Sequence, residues 1–320
     1  MTGEPFIPEK ITVHLGAPDD RSAMNVTVNF VDYIKNVGSS ELYPTWPESA
    51  LRANLYAIIS FALNRIYTEW YPSRGYDFDI TNDTRYDQYY VHGRDIFQPI
   101  SDIVDEIFNN YIRRQGSVEP LFASYCDGVR TQCDGLKQWG TVELAEQGYI
   151  PYRILTYYYG DNIDIVQNAP VAPNIPSYPG TPLRIGSAGD SVIRIQTQLN
   201  RIAWNYPAIP KISPVDAIFG PQTERAVRQF QQIFNLPVGG VVGKVTWYKL
   251  VFLYVGVSGL SELVSEGQRM FGIPFQAPQA VSEGSPRNQV LIVQYFLSIL
   301  AQFDPLIPFV TLDGIYGPAT

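Results

Sequence analysis

Two stretches in the C-terminal half of the chain repeat one spacing of residues. Val192, Gln196, Leu199, Pro207, Ile209, Pro210 and Asp216 recur in order as Val290, Gln294, Leu297, Pro305, Ile307, Pro308 and Asp313. The run Ile218-Phe219-Gly220-Pro221-Gln222-Thr223 then recurs as Ile315-Tyr316-Gly317-Pro318-Ala319-Thr320. A fixed internal repeat means one folding unit used twice. In the first copy Val192, Ile195, Leu199 and Ile202 share one helix face. Gly220-Pro221 opens a second helix, with Ala226, Val227 and Phe230 inward. A third helix starts after Gly243, around Trp247 and Leu250. The spacing therefore predicts an all-α three-helix module over residues 183–262. The second copy, 281–320, stops at Thr320 before its second helix. Half a module cannot close its own core, so the natural chain is expected to continue, or its ordered part to end there.

The first copy carries G-x-x-G-x-x-V-x-x-x-Q-x-x-L from Gly186 to Leu199 and A-V-x-x-F-Q from Ala226 to Gln231. It also carries D-A-x-F-G-x-x-T from Asp216 to Thr223 and G-G-x-V-G-x-x-T-W from Gly239 to Trp247. With Ala217 for a glycine and Gly239 for an aspartate, these four runs closely resemble the peptidoglycan-binding type 1 module. The resemblance implies wall binding through a polar rim around Asp216, Phe219 and Thr223. The apolar residues of the same motifs read as core.

Upstream, Pro170, Pro173, Pro176, Pro179 and Pro182 fall at every third residue. Period three is that of polyproline II, so residues 169–182 read as a stiff linker, and the first domain as 1–168.

Within that domain, Leu51, Leu55, Ile58, Ile59, Ala62 and Ile66 fall on one helix face, with no Gly or Pro interrupting. Thr45 and Glu48 have the spacing of a capping box, with Pro47 in the first turn. Glu41 lies four residues before that cap, in a loop at the mouth of the helix, where the positive end of a helix dipole would stabilise an anion. Residues 1–36 read as extended, with Val26, Val28 and Phe30 on one side. Ile100 to Ile112 reads as a second amphipathic helix. Asp77, Asp79 and Asp83 lack the Gly and terminal Glu of a calcium loop and read as turn caps.

Glu41, the Pro-containing loop and the helix start Ser49-Ala50-Leu51-Arg52-Ala53-Asn54 resemble the stage II sporulation protein D / amidase-enhancer family. Gly135-Leu136-Lys137-Gln138-Trp139-Gly140 resembles that family's second motif. Leu144-Ala145 to Gly148, with Ile154-Leu155 to Tyr159, resembles its closing helix pair. The resemblance implies an α+β domain in which Glu41 is the catalytic acid of a peptidoglycan lytic transglycosylase. Tyr43, Trp46, Gln138 and Trp139 would bind the glycan, by ring stacking and by an amide on sugar hydroxyls. The chain departs from the pattern in two places. Gln132 stands for the motif histidine and Lys137 for the motif serine. Asp79, Tyr86 and Asp87 lie near the positions where many members bind zinc, and no cysteine accompanies them, so no metal and no cofactor is expected. Cys126 and Cys133 straddle the loop. A disulfide, two reduced thiols or a two-cysteine metal pair are all open.

Composition narrows the partners. Hydrophobic residues at 45% with 17% charged residues read as folded throughout. A net charge of −8 argues against nucleic acid and anionic membranes. With 22 Tyr beside 16 Phe and 5 Trp, the chain has ring faces for sugars, although most will be core. No apolar run reaches membrane-spanning length. MTGEPFIPEK has no basic segment leading into an apolar one, so no signal peptide is visible and the route to the wall is open. The expectation is a protein of the cell wall or spore surface whose partner is peptidoglycan glycan strands. It is either a lytic transglycosylase or an inactive scaffold of the spore or cell surface, or of a phage-like particle, that keeps the fold and the wall-binding modules and self-assembles or joins spore-surface proteins.

Overall fold

The computed structural model describes residues 5–173, 177–261, 281–301, 306–308, 310–311, 313–318 and 320. The chain is organised around one long helix, α2, Glu48–Tyr67, which follows α1, Phe30–Glu41. The predicted face of α2 is buried as expected, with Leu51, Leu55, Ile58, Ile59, Ala62 and Ile66 in one core with Phe30, Tyr33, Ile34 and Val37 of α1. The opposite face carries Ala53 and Ala57, which enter a second core with Leu136, Leu144, Ile154 and Leu155. A helix buried on both sides has no polar stripe, and each fully buried Leu or Ile contributes about 2 kcal/mol.

Around α2 the backbone is mixed. Strand β2, Lys10–His14, pairs antiparallel with β3, Asn25–Asn29, and parallel with β4, Ile80–Thr81. Strand β1, Ile7–Pro8, runs parallel to β9, Val171–Ala172. Helix α3 spans Gln98–Ile107, and β5, Tyr111–Arg114, pairs antiparallel with β8, Ile163–Val166. Strands β6, Tyr125–Cys126, and β7, Leu136–Lys137, form a short parallel pair that leads into α4, Gln138–Glu146, followed by α5, Pro151–Tyr159. The α4–α5 pair matches the helix pair expected from the sequence.

Four expectations are corrected. The extended reading of residues 1–36 fails from Phe30 onward, because Phe30, Tyr33, Ile34 and Val37 recur at helical spacing and all face the core. Gly38 permits the close crossing of α1 with its neighbours: a Cβ there would lie 2.8 Å from Leu55 Cδ2 and 2.9 Å from Ile100 Cγ2. The Thr45–Glu48 capping box does not form. Pro47 occupies the N-cap in extended conformation with no side-chain cap, and Glu48 Oε1 instead accepts from Arg52 Nε at 2.6 Å. The helix expected over Ile100–Ile112 stops at Ile107, and Tyr111 and Ile112 are buried in strand β5 instead. Asn110 turns the chain there, its Oδ1 accepting from the Asn168 backbone N–H at 2.8 Å. Among the acidic cluster, Asp83 caps its turn by accepting from the Arg85 backbone N–H. Asp79 and Asp77 instead tie this segment to the sheet, accepting from the Thr12 backbone N–H and the Asn25 side-chain amide.

The stretch read as a spacer begins in β9, so its first residues belong to the sheet edge beside β1; Pro176 lies outside the described residues. The three-helix module follows as predicted: α6, Asp190–Ile202, α7, Pro221–Ile233, and α8, Lys244–Ser258, with Gly220 and Gly243 as N-caps and Pro221 at the first helical position. Its core contains Val192, Ile195, Leu199, Ile202, Phe219, Phe230 and Trp247. One amide organises it. Gln196 is fully buried, and its Nε2 donates to Asp216 Oδ1, Ile218 O and Thr223 Oγ1, each at 3.0 Å. Its Oε1 accepts from the backbone N–H groups of Asp216 and Ala217.

Met1–Ser261 form one compact unit. Across the junction of its two lobes, Glu69 accepts from the Trp247 indole at 3.2 Å and from Ser177 Oγ at 2.8 Å, and pairs with Arg194 at 2.6 Å. Asn64 Nδ2 donates to Leu260 O, and Tyr254 Oη to Glu119 Oε1. Glu69 has φ 45°, a left-handed conformation that glycine adopts more cheaply; there its carboxylate gathers three groups from beyond the lobe.

Glu262–Thr320 form a second unit. Its helix, Arg287–Leu300, buries Val290 and Gln294. Gln294 Nε2 donates to Asp313 Oδ1, Ile315 O and Thr320 Oγ1, the same set that surrounds Gln196. Pro305 of the repeat lies outside the described residues.

Candidate functional site

Glu41 is the last residue of α1. The chain leaves the helix there through Leu42, whose backbone N–H donates to Gly38 O and closes the last turn. Three neutral donors hold the carboxylate. Oε1 accepts from the Tyr89 backbone N–H at 2.8 Å, and Oε2 from Gln138 Nε2 at 3.1 Å. The Tyr125 hydroxyl supplies the third bond. Burial pushes the Glu41 carboxyl up to about 7, and the bonds from Tyr89, Tyr125 and Gln138 pull in the other direction. Desolvation of the anion thus outweighs the donors. The helix-dipole expectation is corrected here: Glu41 lies at the C-terminal, negative end of α1, which offers an anion no help.

The phenol is itself positioned. Gln88 Nε2 donates to Tyr125 Oη at 3.1 Å and to Ile58 O at 3.0 Å, while Gln88 Oε1 accepts from Tyr33 Oη at 2.9 Å. Burial and the nearby Glu41 charge push the Tyr125 phenol well above its ordinary value, so it stays a neutral donor. Tyr125 and Gln138 reach Glu41 from β6 and from the start of α4, with β6 and β7 paired between them. The Cys126–Cys133 disulfide closes the intervening loop. Inside it, Asp127 Oδ1 accepts from the backbone N–H groups of Val129, Arg130 and Thr131.

Beside the carboxylate lies a cluster of rings. Tyr43 and Trp46 have centroids 5.6 Å apart, Tyr43 and Trp139 5.6 Å, and Trp46 and Trp139 4.9 Å. Trp46 is buried and supports the other two, which are open to solvent at 57% for Tyr43 and 41% for Trp139. An ionisable acid with a pKa near neutrality beside exposed ring faces can exchange a proton with an uncharged ring-stacked ligand.

Five of the residues singled out in the sequence, Glu41, Tyr43, Trp46, Gln138 and Trp139, therefore meet in one place. The module residues do not form the expected rim. Phe219 is fully buried and Thr223 nearly so, Phe219 in the module core and Thr223 against Gln196; neither can face a ligand. Asp216 is exposed, but its carboxylate is engaged by Gln196 and by the Ile218 backbone N–H at 2.9 Å. Gln132 donates to Gly128 O at 2.8 Å within its own loop, and Lys137 forms the N-cap of α4. Tyr125, Gln88 and the Tyr89 backbone were not found from sequence. No periodicity marks them, and only the adjacent Cys126 pointed to their neighbourhood.

Residues 188–250 match the family model of the putative peptidoglycan binding domain. A protein of Kitasatospora aureofaciens, "Uncharacterized protein in bpoA1 3'region", is 41% identical over 64 residues, covering 20% of this chain and 49% of that protein. The chain thus spans about half the length of the curated relative it matches. The solved N-terminal domain of SleB is 32% identical over 24% of this chain and 99% of its own, with a TM-score of 0.21. The family match supports a peptidoglycan-binding module in the second lobe and association with the cell wall.

Proposed function

We propose that this chain binds peptidoglycan and that its first lobe cleaves glycan strands as a lytic transglycosylase through Glu41. The observation that carries the reading is the carboxyl held at about 7 by burial, beside the exposed rings of Tyr43 and Trp139. Near neutral pH about half of such a group is protonated, so it can act first as an acid and then as a base. Glu41 gives its proton to the glycosidic oxygen, and the bond to the anomeric carbon breaks. The C6 hydroxyl of the same muramyl unit bonds to that carbon, and its proton returns to Glu41. The product is a 1,6-anhydro ring, with no water consumed. This chemistry needs one carboxylate, where hydrolysis needs two. The partners of Glu41 suit it, being an amide N–H, a carboxamide and a phenol.

The test is to incubate purified glycan strands with the wild type and with Glu41→Gln, and to look for anhydro-muramyl ends by mass spectrometry. Ends from the wild type alone support the reading; their absence from both overturns the enzymatic part.

One observation favours a second reading, an inactive scaffold of the wall or spore surface that self-assembles or joins spore-surface proteins. The positions resembling the family's histidine and serine hold Gln132 and Lys137, which serve the loop and the α4 cap and not Glu41. Co-sedimentation with walls that stay intact, together with ordered polymers in electron micrographs, would favour it.

A further inference from the structure

The short helical turn Pro72–Arg74 of the first lobe faces α8 and the turn that follows α7 across an open cleft of about 580 Å³. That volume fits a ligand of one or two sugar rings with appendages. Its lining contrasts with the acidic chain around it. Arg74 enters from the first lobe, and Lys244 and Lys249 from α8. Phe252 stands between them: the Arg74 guanidinium lies 5.2 Å from its ring centroid and Lys249 Nζ 5.5 Å. Lys249 Nζ also lies 6.0 Å from the Phe234 centroid. Tyr76 completes the aromatic wall. The one acid in the lining, Asp77, is turned to the Asn25 side-chain amide at 2.9 Å. Among the described residues neither Lys244 nor Lys249 is ion-paired.

We propose that this cleft binds the carboxylate-bearing part of peptidoglycan, a muramyl sugar with its peptide. The proposal rests on the wall-binding reading above and names a second place where the wall is gripped. Cations select an anion, and flat ring faces select the C–H face of a pyranose. A polyol phosphate offers the charge without a ring, and a neutral aminosugar offers the ring without charge. Of these three components, the muropeptide supplies both. Because Arg74 belongs to one lobe and the lysines to the other, the cleft exists only while the two lobes are docked.

The full chain is titrated with three probes, a disaccharide–tetrapeptide muropeptide, a neutral N-acetylglucosamine disaccharide and a glycerol-phosphate oligomer, and heats of binding are recorded. The muropeptide is expected to bind at least tenfold more tightly than either other probe. Lys244→Glu with Lys249→Glu should weaken it at least tenfold, and Phe252→Ala should weaken it severalfold. Thermal melts establish that each variant is folded; if the charge reversals are not, Lys244→Gln with Lys249→Gln replaces them. Unchanged muropeptide binding by the folded variants overturns the proposal, as does equal or tighter binding of the phosphate oligomer. Wild type and the lysine variants are also sedimented with insoluble wall. A wild type that pellets with wall but does not bind the muropeptide overturns the cleft and leaves the wall-binding reading standing, so the two failures are read separately.

Discussion

The indole N–H of Trp247 is directed at the carboxylate of Glu69, 3.2 Å from Oε2, and this bond crosses from the three-helix module to the lobe that carries Glu41. Arg194 reaches the same carboxylate at 2.6 Å. Removing one member of a buried charged cluster leaves the others desolvated and unpaired, at a cost of about 3 to 5 kcal/mol. Glu69→Gln is therefore expected to lower the melting temperature of the chain and to split a single unfolding transition into two. Differential scanning calorimetry checks this; one transition at the wild-type temperature would mean that Glu69 does not couple the lobes.

Glu41 links stability to pH with a definite sign. Its folded-state value, about 7, lies above the ordinary 4.5. The native state therefore holds a proton that the unfolded chain releases between these values, so stability falls as pH rises through that window. The full shift corresponds to about 3 kcal/mol, an upper figure for a half-buried group. Relative to the wild type, Glu41→Gln should be no more stable below pH 4.5, gain progressively between 4.5 and about 7, and keep a constant margin above that. Urea unfolding of both proteins at pH 4, 6 and 8 gives the comparison.

Tyr125 lowers the Glu41 value through its bond to the anion. A hydrogen bond to a charged group contributes about 1.5 to 3 kcal/mol, or about one to two pH units. Tyr125→Phe should raise the Glu41 value by about one unit. The carboxyl carbon resonance of Glu41 in selectively labelled protein reports it directly, and the acid-to-base profile of any strand cleavage should move the same way.

The loop between Cys126 and Cys133 carries Tyr125 at one end and leads into Gln138 at the other. Replacing both cysteines by serine frees a short loop, at about 2 kcal/mol in the chain-entropy account. Because the bridge starts in β6 and ends three residues before its partner β7, the variant should also disturb Glu41. A stability loss accompanied by a changed Glu41 titration is expected, measured by denaturant unfolding and by the same resonance.

Much of this arrangement was written in local sequence. The apolar face of α2, the three module helices with their Gly and Pro boundaries, and the repeat all follow from spacing that one helix turn enforces. The residues around Glu41 were legible in part, because Tyr43 and Trp46 follow it in the chain and Gln138 and Trp139 sit in a recognisable run. Three kinds of information were not local. Phe30 to Asn36 read as extended because the alternation of β3 runs directly into the helix. Tyr125 and Gln88 act across long separations in sequence, where no period exists to mark them. Phe219 and Thr223 lie in a turn that carries a module motif, yet the turn folds inward onto Gln196, so a motif position became core.

Gln196 and Gln294 each stand at the hub of the same ring of oxygens. The nearest isostere, glutamate, is for that reason the worst replacement. It would set an oxygen against Asp216 Oδ1 and the Ile218 carbonyl where an NH₂ now binds both, turning attraction into lone-pair repulsion in a site closed to water. Shape alone does not license a residue at these two positions; the polarity of one terminal atom decides whether the helix and the turn can share an interior.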